Sequence, residues 1–158
     1  MTVGEWVLLS YRVPREPSTP RIAIWRSLKR LGVAQLGDGL VGLPADARTR
    51  EHLEWIADDV LAAGGSASVW LARPASATQE RELAGRMAAA RATEYQAVTA
   101  QAHAAQALAG RERDAALRRL RGELHRITRR DFFPPPQREA ARQAVRELAA
   151  EPAERGAS

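Results

Sequence analysis

The chain has no cysteine among its 158 residues, which excludes disulfides, thiolate metal ligation and a cysteine nucleophile. It also lacks any apolar run approaching the roughly 18 residues that a membrane-spanning helix needs, so no membrane role is expected. No charged leader followed by an apolar segment precedes the first apolar stretch, and a cytoplasmic location is expected. Lysine is almost missing: of 24 cationic residues, one is Lys29 and the rest are arginine. That choice reflects either genomic base bias or a preference for planar, bidentate contact with phosphate, and composition does not separate the two.

Enzyme signatures are missing as well. There is no Gly-x-Ser-x-Gly elbow, no glycine loop ending in Lys-Ser/Thr and no dinucleotide fingerprint. His52, His103 and His125 fall on different expected helices without metal-ligand spacing, so no metal or other cofactor is implied. Glu51, Glu54, Asp58 and Asp59 form an acidic helix face that reads as solvated surface. No catalytic residue is expected. Trp6, Trp25, Trp55 and Trp70 lie at or beside apolar-period positions, which suits core or interface more than base stacking.

What the sequence does contain is a fold pattern in its first 75 residues. Trp6 to Val13 is a nearly continuous apolar run ended by Pro14 and Pro17, as for a central strand. Thr19 is placed as a helix N-cap with Pro20 after it; Ile22, Trp25, Leu28 and Leu31 then recur at helical spacing until Gly32. Ala34 to Leu36 and Leu40 to Leu43 flank Gly37-Asp38-Gly39, a hairpin signal. Thr49 is expected to cap a second helix carrying Leu53, Ile56, Val60 and Leu61 inward, with Gly64-Gly65 ending it and a strand over Ala67 to Ala72. The order strand, helix, strand, strand, helix, strand is that of an α+β, ferredoxin-like βαββαβ domain. Its second sheet face, with Trp6, Leu8 and Trp70, needs a cover, supplied by the later helices or by a second copy in a homodimer.

Beyond a boundary near Arg73 to Thr78 only helical patterns remain. Tyr95, Val98, Ala102 and Ala105 mark a helix within Thr78 to Leu108, and Leu117, Leu120, Leu124 and Ile127 mark another over Arg111 to Arg130. The break Asp131-Phe-Phe-Pro-Pro-Pro136 precedes a third helix from about Gln137 to Ala150, with Val145 and Leu148 inward. The expected organisation is thus a domain over 1–75, a helical region over 76–150 and a disordered tail over 151–158.

A formal charge of +5 allows either a polyanionic partner or an ordinary soluble surface. The charge is concentrated, however: Arg12, Arg15, Arg21, Arg26, Lys29 and Arg30 stand against the single acid Glu16 in the span from Arg12 to Arg30. These six are the candidate nucleic-acid contacts, with a solvated surface as the competing reading. At the start of the first helix, Ser18 and Thr19 with Arg15 and Arg21 could bind a small oxyanion on the free N–H groups of the first turn; ordinary capping explains the same residues. On the later helix Arg111, Arg118, Arg119, Arg126 and Arg129 fall opposite the apolar stripe, either touching nucleic acid or simply facing water.

The run from Trp6 to Gly32, with its Tyr11-Arg-Val-Pro and Trp25-Arg-Ser-Leu-Lys-Arg-Leu-Gly motifs, is followed by Leu43-Pro44, Thr49-Arg50-Glu51 and Gly64-Gly65. Together with the leucine stripe leading into Asp131-Phe132-Phe133, these resemble the amino-terminal domain of the chromate-resistance transcriptional regulator family, the ChrB type. The resemblance implies a DNA-binding regulator whose grip on DNA is relieved by chromate; many members carry a further carboxy-terminal domain that this sequence does not include. The first half also resembles the central domain of phenylacetate-pathway repressors and the small ferredoxin-like CRISPR-associated nucleases, which pair as dimers. Those nucleases carry an aspartate at the end of the first strand, where this chain reads Ser10-Tyr11-Arg12, which argues against nuclease activity. The implied partners are therefore DNA, chromate and a second copy. The competing reading is an interaction module whose basic faces dock an acidic partner or a separate sensor domain without touching DNA.

Overall fold

The computed structural model describes residues 4–150, which form four strands and five helices; the expected disordered tail at 151–158 lies outside the described residues. The chain is α+β and divides into two compact units, residues 1–87 and 88–158.

In the first unit the order is β1 (Trp6–Arg12), α1 (Ser18–Leu31), β2 (Ala34–Gly37), β3 (Leu40–Pro44), α2 (Ala47–Ala62) and β4 (Ser66–Ala72). The strands make one antiparallel sheet in the order β2-β3-β1-β4, so the apolar β1 is interior and β4 lies on an edge. Register sorts the side chains by face. Val7 and Leu9 pair with Leu43 and Val41, and all four are buried on the face shared with Leu53, Ile56 and Val60 of α2. On the opposite face Leu8 is aligned with Gly42 and Trp70. Trp6 is buried there as expected, but Leu8 is half-buried and Trp70, on the edge strand β4, is 59% exposed.

The helix starts differ from their local signals. α1 is capped by the extended Pro17 with no side-chain cap, so Ser18 and Thr19 are first-turn residues instead of Thr19 being the cap. Its inward positions are Ile24 and Leu28, whereas Ile22 is 44% exposed and Trp25 half-buried. In α2 the cap is Asp46: its carboxylate accepts from the Thr49 N–H at 2.7 Å while the Thr49 hydroxyl accepts from the Asp46 N–H at 3.0 Å. Thr49 thus closes a reciprocal box from the third position instead of beginning the helix. Leu61, expected inward, is exposed. Gly32 ends α1 in the left-handed conformation, as its position implied.

α3 (Ala77–Ala105) begins in the first unit, where the buried Glu80 accepts from the Gly4 N–H at 3.0 Å, and continues into the second. There α4 (Gly110–Arg129) and α5 (Gln137–Ala149) join its second half in one apolar cluster: Tyr95, Val98, Ala102, Ala105, Leu120, Ile127, Val145 and Leu148 are all buried. Leu117 and Leu124 pack against it part-buried. The α3, α4 and α5 stripes read from spacing therefore match the observed core.

A polar network borders that core. The Tyr95 hydroxyl donates to Asp131 at 2.7 Å, and burial, aided by this bond, raises the tyrosine above its ordinary value. Glu94 bridges Arg91 at 2.9 Å and Arg130 at 3.0 Å. Burial lowers Arg91 from its ordinary value against the opposing pull of Glu94. Arg113 is spent on backbone: its guanidinium donates to the Leu148 carbonyl at 3.2 and 3.0 Å, satisfying the end of α5, and to the Gln106 and Leu108 carbonyls after α3.

Candidate oxyanion and nucleic-acid interface

The end of β1 is where the first unit concentrates unpaired charge. Two glycines let neighbouring loops close on that strand end. Gly39, in the β2–β3 turn with φ of +67°, accepts from the Tyr11 N–H at 2.8 Å, and a Cβ there would run into the Tyr11 carbonyl. A Cβ on Gly65, between α2 and β4, would run into the carbonyl of Arg12. Both contacts require glycine because the obstruction is backbone, which cannot rotate aside.

Between these loops lies an open cleft of about 740 Å³, whose charged walls are Arg12, Arg15, Arg21 and Asp38. Tyr11 forms part of the wall, and burial pushes its hydroxyl above the ordinary tyrosine value. A second hollow of about 390 Å³ shares Arg12, Asp38 and Ser66 with it and adds Ser10 and Ser68. Among the described residues no ion pair engages Arg12, Arg15, Arg21 or Asp38. Three arginines and one aspartate therefore line the same solvent-filled space.

The six expected nucleic-acid contacts separate into two groups. Arg12, Arg15 and Arg21 line the cleft. Arg26, Lys29 and Arg30 are exposed on α1 outside it. There the Lys29 ammonium lies 5.5 Å from the Trp25 ring centroid, and Arg30 donates to the Ser27 hydroxyl at 3.0 Å. Of the four expected oxyanion residues, Arg15 and Arg21 line the cleft, while Ser18 and Thr19 are exposed in the first turn of α1 and are not part of its wall. Asp38 was legible only as a turn residue; nothing local in Gly37-Asp38-Gly39 signals that it meets arginines from β1 and α1.

The later basic face is more neutralised. Arg126 pairs with Glu123 at 2.9 Å and Arg119 donates to Gln101 at 2.7 Å, whereas Arg111 and Arg118 are exposed. Among the described residues no group of three or more His, Asp or Glu is placed to hold a metal ion, and no helix is long and apolar enough to cross a membrane.

Comparison with known proteins adds an independent line. The family model described as "Protein ChrB, N-terminal" matches residues 21–156, a span that includes Arg21, Arg26, Lys29 and Arg30 but begins after Arg12 and Arg15. Protein ChrB of Cupriavidus metallidurans is 32% identical over 134 residues, which cover 82% of this chain and 40% of that protein. The chain thus spans well under half the length of this curated relative. No solved structure matches it.

Proposed function

Since the chain belongs to the family of ChrB amino-terminal domains, we propose that it is a non-catalytic, DNA-binding regulator of chromate-resistance genes. The observation that carries the reading is the unneutralised charge of the first unit. Arg26, Lys29 and Arg30 stand exposed on α1, and Arg12, Arg15 and Arg21 converge on the adjoining cleft, with no ion pair engaging any of them among the described residues. Such cations attract the phosphates of DNA and release its condensed counterions on binding. Arg15 and Arg21, with Ser18 and Thr19 at the start of α1, are the set to which we assign chromate, which would compete with DNA phosphate for the same guanidinium groups. The strand order, with β1 between β3 and β4, supports a ferredoxin-like reading of the βαββαβ unit, for which we retain residues 1–75, followed by the helical region 76–150.

The test is salt dependence. In a DNA-binding titration the double variant Arg26→Ala, Arg30→Ala should lower the log–log salt slope by about 1.8, that is about 0.9 for each lost phosphate contact. The corresponding change at Arg119 and Arg126 should be smaller, because those guanidinium groups already have protein partners. Binding and slope unchanged in the α1 variant would remove this assignment.

The open sheet face supports a homodimer. Leu8, Leu36 and Trp70 form an apolar face on which the absent side chain of Gly42 lets Leu8 and Leu36 approach one another. Aromatic and aliphatic groups in that arrangement are covered more favourably by a second copy than by water. Light scattering should give twice the chain mass at micromolar concentration, and Trp70→Glu should return it to the monomer mass. A wild-type monomer mass at that concentration would refute the homodimer.

A further inference from the structure

Asp38 is the anomalous member of the cleft. A site shaped only for a bare dianion gains nothing from an unpaired carboxylate beside its arginines, because that carboxylate repels the same ligand. Its presence is favourable when the ligand brings a hydrogen-bond donor next to its negative charge, since the carboxylate can only accept. We propose that the cleft at the end of β1 binds a phosphoryl group carrying an adjacent donor, held by Arg12, Arg15 and Arg21 and selected by Asp38. This goes beyond DNA binding and does not depend on it.

The geometry supports each part of that assignment. Arginine forks suit the tetrahedral oxygens of phosphate, and three of them supply more positive charge than one carboxylate cancels. Hydrogen phosphate retains a proton at neutral pH; sulfate does not. An organic phosphomonoester instead presents hydroxyl donors on the body attached to its phosphate. The smaller hollow beside Arg12 and Asp38, lined by Ser10, Ser66 and Ser68, offers polar partners for such a body. Each of the two spaces lies within the range of about 300–1,000 Å³ occupied by small-molecule sites. Gly39 and Gly65 fix the two loops against the backbone of β1, so Asp38 and Arg12 are presented on a braced frame.

Discrimination should be moderate, because the cleft is open and solvent screens part of the repulsion. Calorimetric titration of the protein without DNA, at matched ionic strength, would use inorganic phosphate, ribose 5-phosphate, sulfate and chromate at a pH where chromate is deprotonated. At least one phosphate probe should bind wild type about tenfold or more tightly than sulfate and chromate, equivalent to about 1.4 kcal/mol. Asp38→Asn should collapse that preference mainly by improving sulfate binding, since it removes the repulsive charge while keeping size. Asp38 is exposed and forms no ion pair among the described residues, so the variant should fold; a thermal melt checks this. Arg21→Ala should weaken every probe. Equal binding of inorganic and ribose phosphate assigns the site to free phosphate, and tighter ribose phosphate assigns it to an organic monoester using the serine hollow; either supports the proposal. Phosphate, sulfate and chromate binding equally to wild type would overturn it and leave the chromate reading intact. A preference that survives Asp38→Asn, or no binding by any probe, would also overturn it, and neither result bears on the DNA salt slope.

Discussion

Gly65→Ala is expected to destabilise the protein by about 3 kcal/mol, because the new methyl group would meet the Arg12 carbonyl and lie 2.9 Å from Cγ1 and 3.1 Å from the carbonyl oxygen of Val60. Two of those three atoms are backbone. Val60 is itself fully buried and its carbonyl accepts from the Gly65 N–H at 2.9 Å, so relief requires moving the end of α2 or the end of β1. For a unit of this size such a loss corresponds to a melting midpoint lower by about 10 °C or more. Gly85→Ala is the natural control: nothing lies within 4 Å of its added Cβ inside α3, and relief of glycine's helix penalty should stabilise the chain by up to about 1 kcal/mol. Tryptophan fluorescence is a suitable probe, since all four tryptophans belong to the first unit. A Gly65→Ala midpoint within error of wild type would show that the α2–β4 connection is looser than the structure has it.

The second unit has its largest expected sensitivity at Leu120. This side chain is completely buried in α4 among Tyr95, Val98, Ile127, Val145 and Leu148. Truncation removes three carbon atoms from a core with many alanine neighbours, where small side chains cannot swing in to fill the space. Leu120→Ala should therefore cost about 2–5 kcal/mol, with the upper half of the range expected if Ala102, Ala116 and Ala144 leave the cavity open. Far-ultraviolet circular dichroism during urea unfolding measures it, because α4 and α5 and most of α3 contribute its signal. Leu117→Ala, at a part-buried position of the same helix, should cost clearly less; equal losses at the two positions would contradict the observed packing.

Much of the architecture was legible before any tertiary contact was known, for a physical reason that varies along the chain. In the second unit Tyr95, Val98, Ala102, Leu120, Ile127, Val145 and Leu148 were identifiable as core because a helix buries one stripe and its period is set by backbone geometry alone. The element order of the first unit was likewise readable, since Gly32, Gly37-Asp38-Gly39 and Gly64-Gly65 interrupt the apolar runs where the chain must turn. Helix starts were less legible. Ser18, Thr19 and Thr49 all carry cap chemistry, but α1 begins from the extended backbone of Pro17, and the Asp46–Thr49 box moves the true cap three residues upstream.

By itself, then, the sequence determined where strands and helices occur, which stripes of α3, α4 and α5 are apolar, and that positive charge is concentrated between Arg12 and Arg30, because these follow from local spacing and composition. Which flank of α1 faces inward was decided by its packing: Ile24 is buried and Ile22 is not. Strand order placed Trp70 on an edge, where the same residue in an interior strand would have had a neighbour on each side. Only the folded chain brings Asp38 from a hairpin turn to Arg12, Arg15 and Arg21, and only the fold assigns Arg113 to carbonyls at the ends of two other helices. Such encounters depend on the three-dimensional closure of segments distant in sequence, for which neither periodicity nor composition carries a signal.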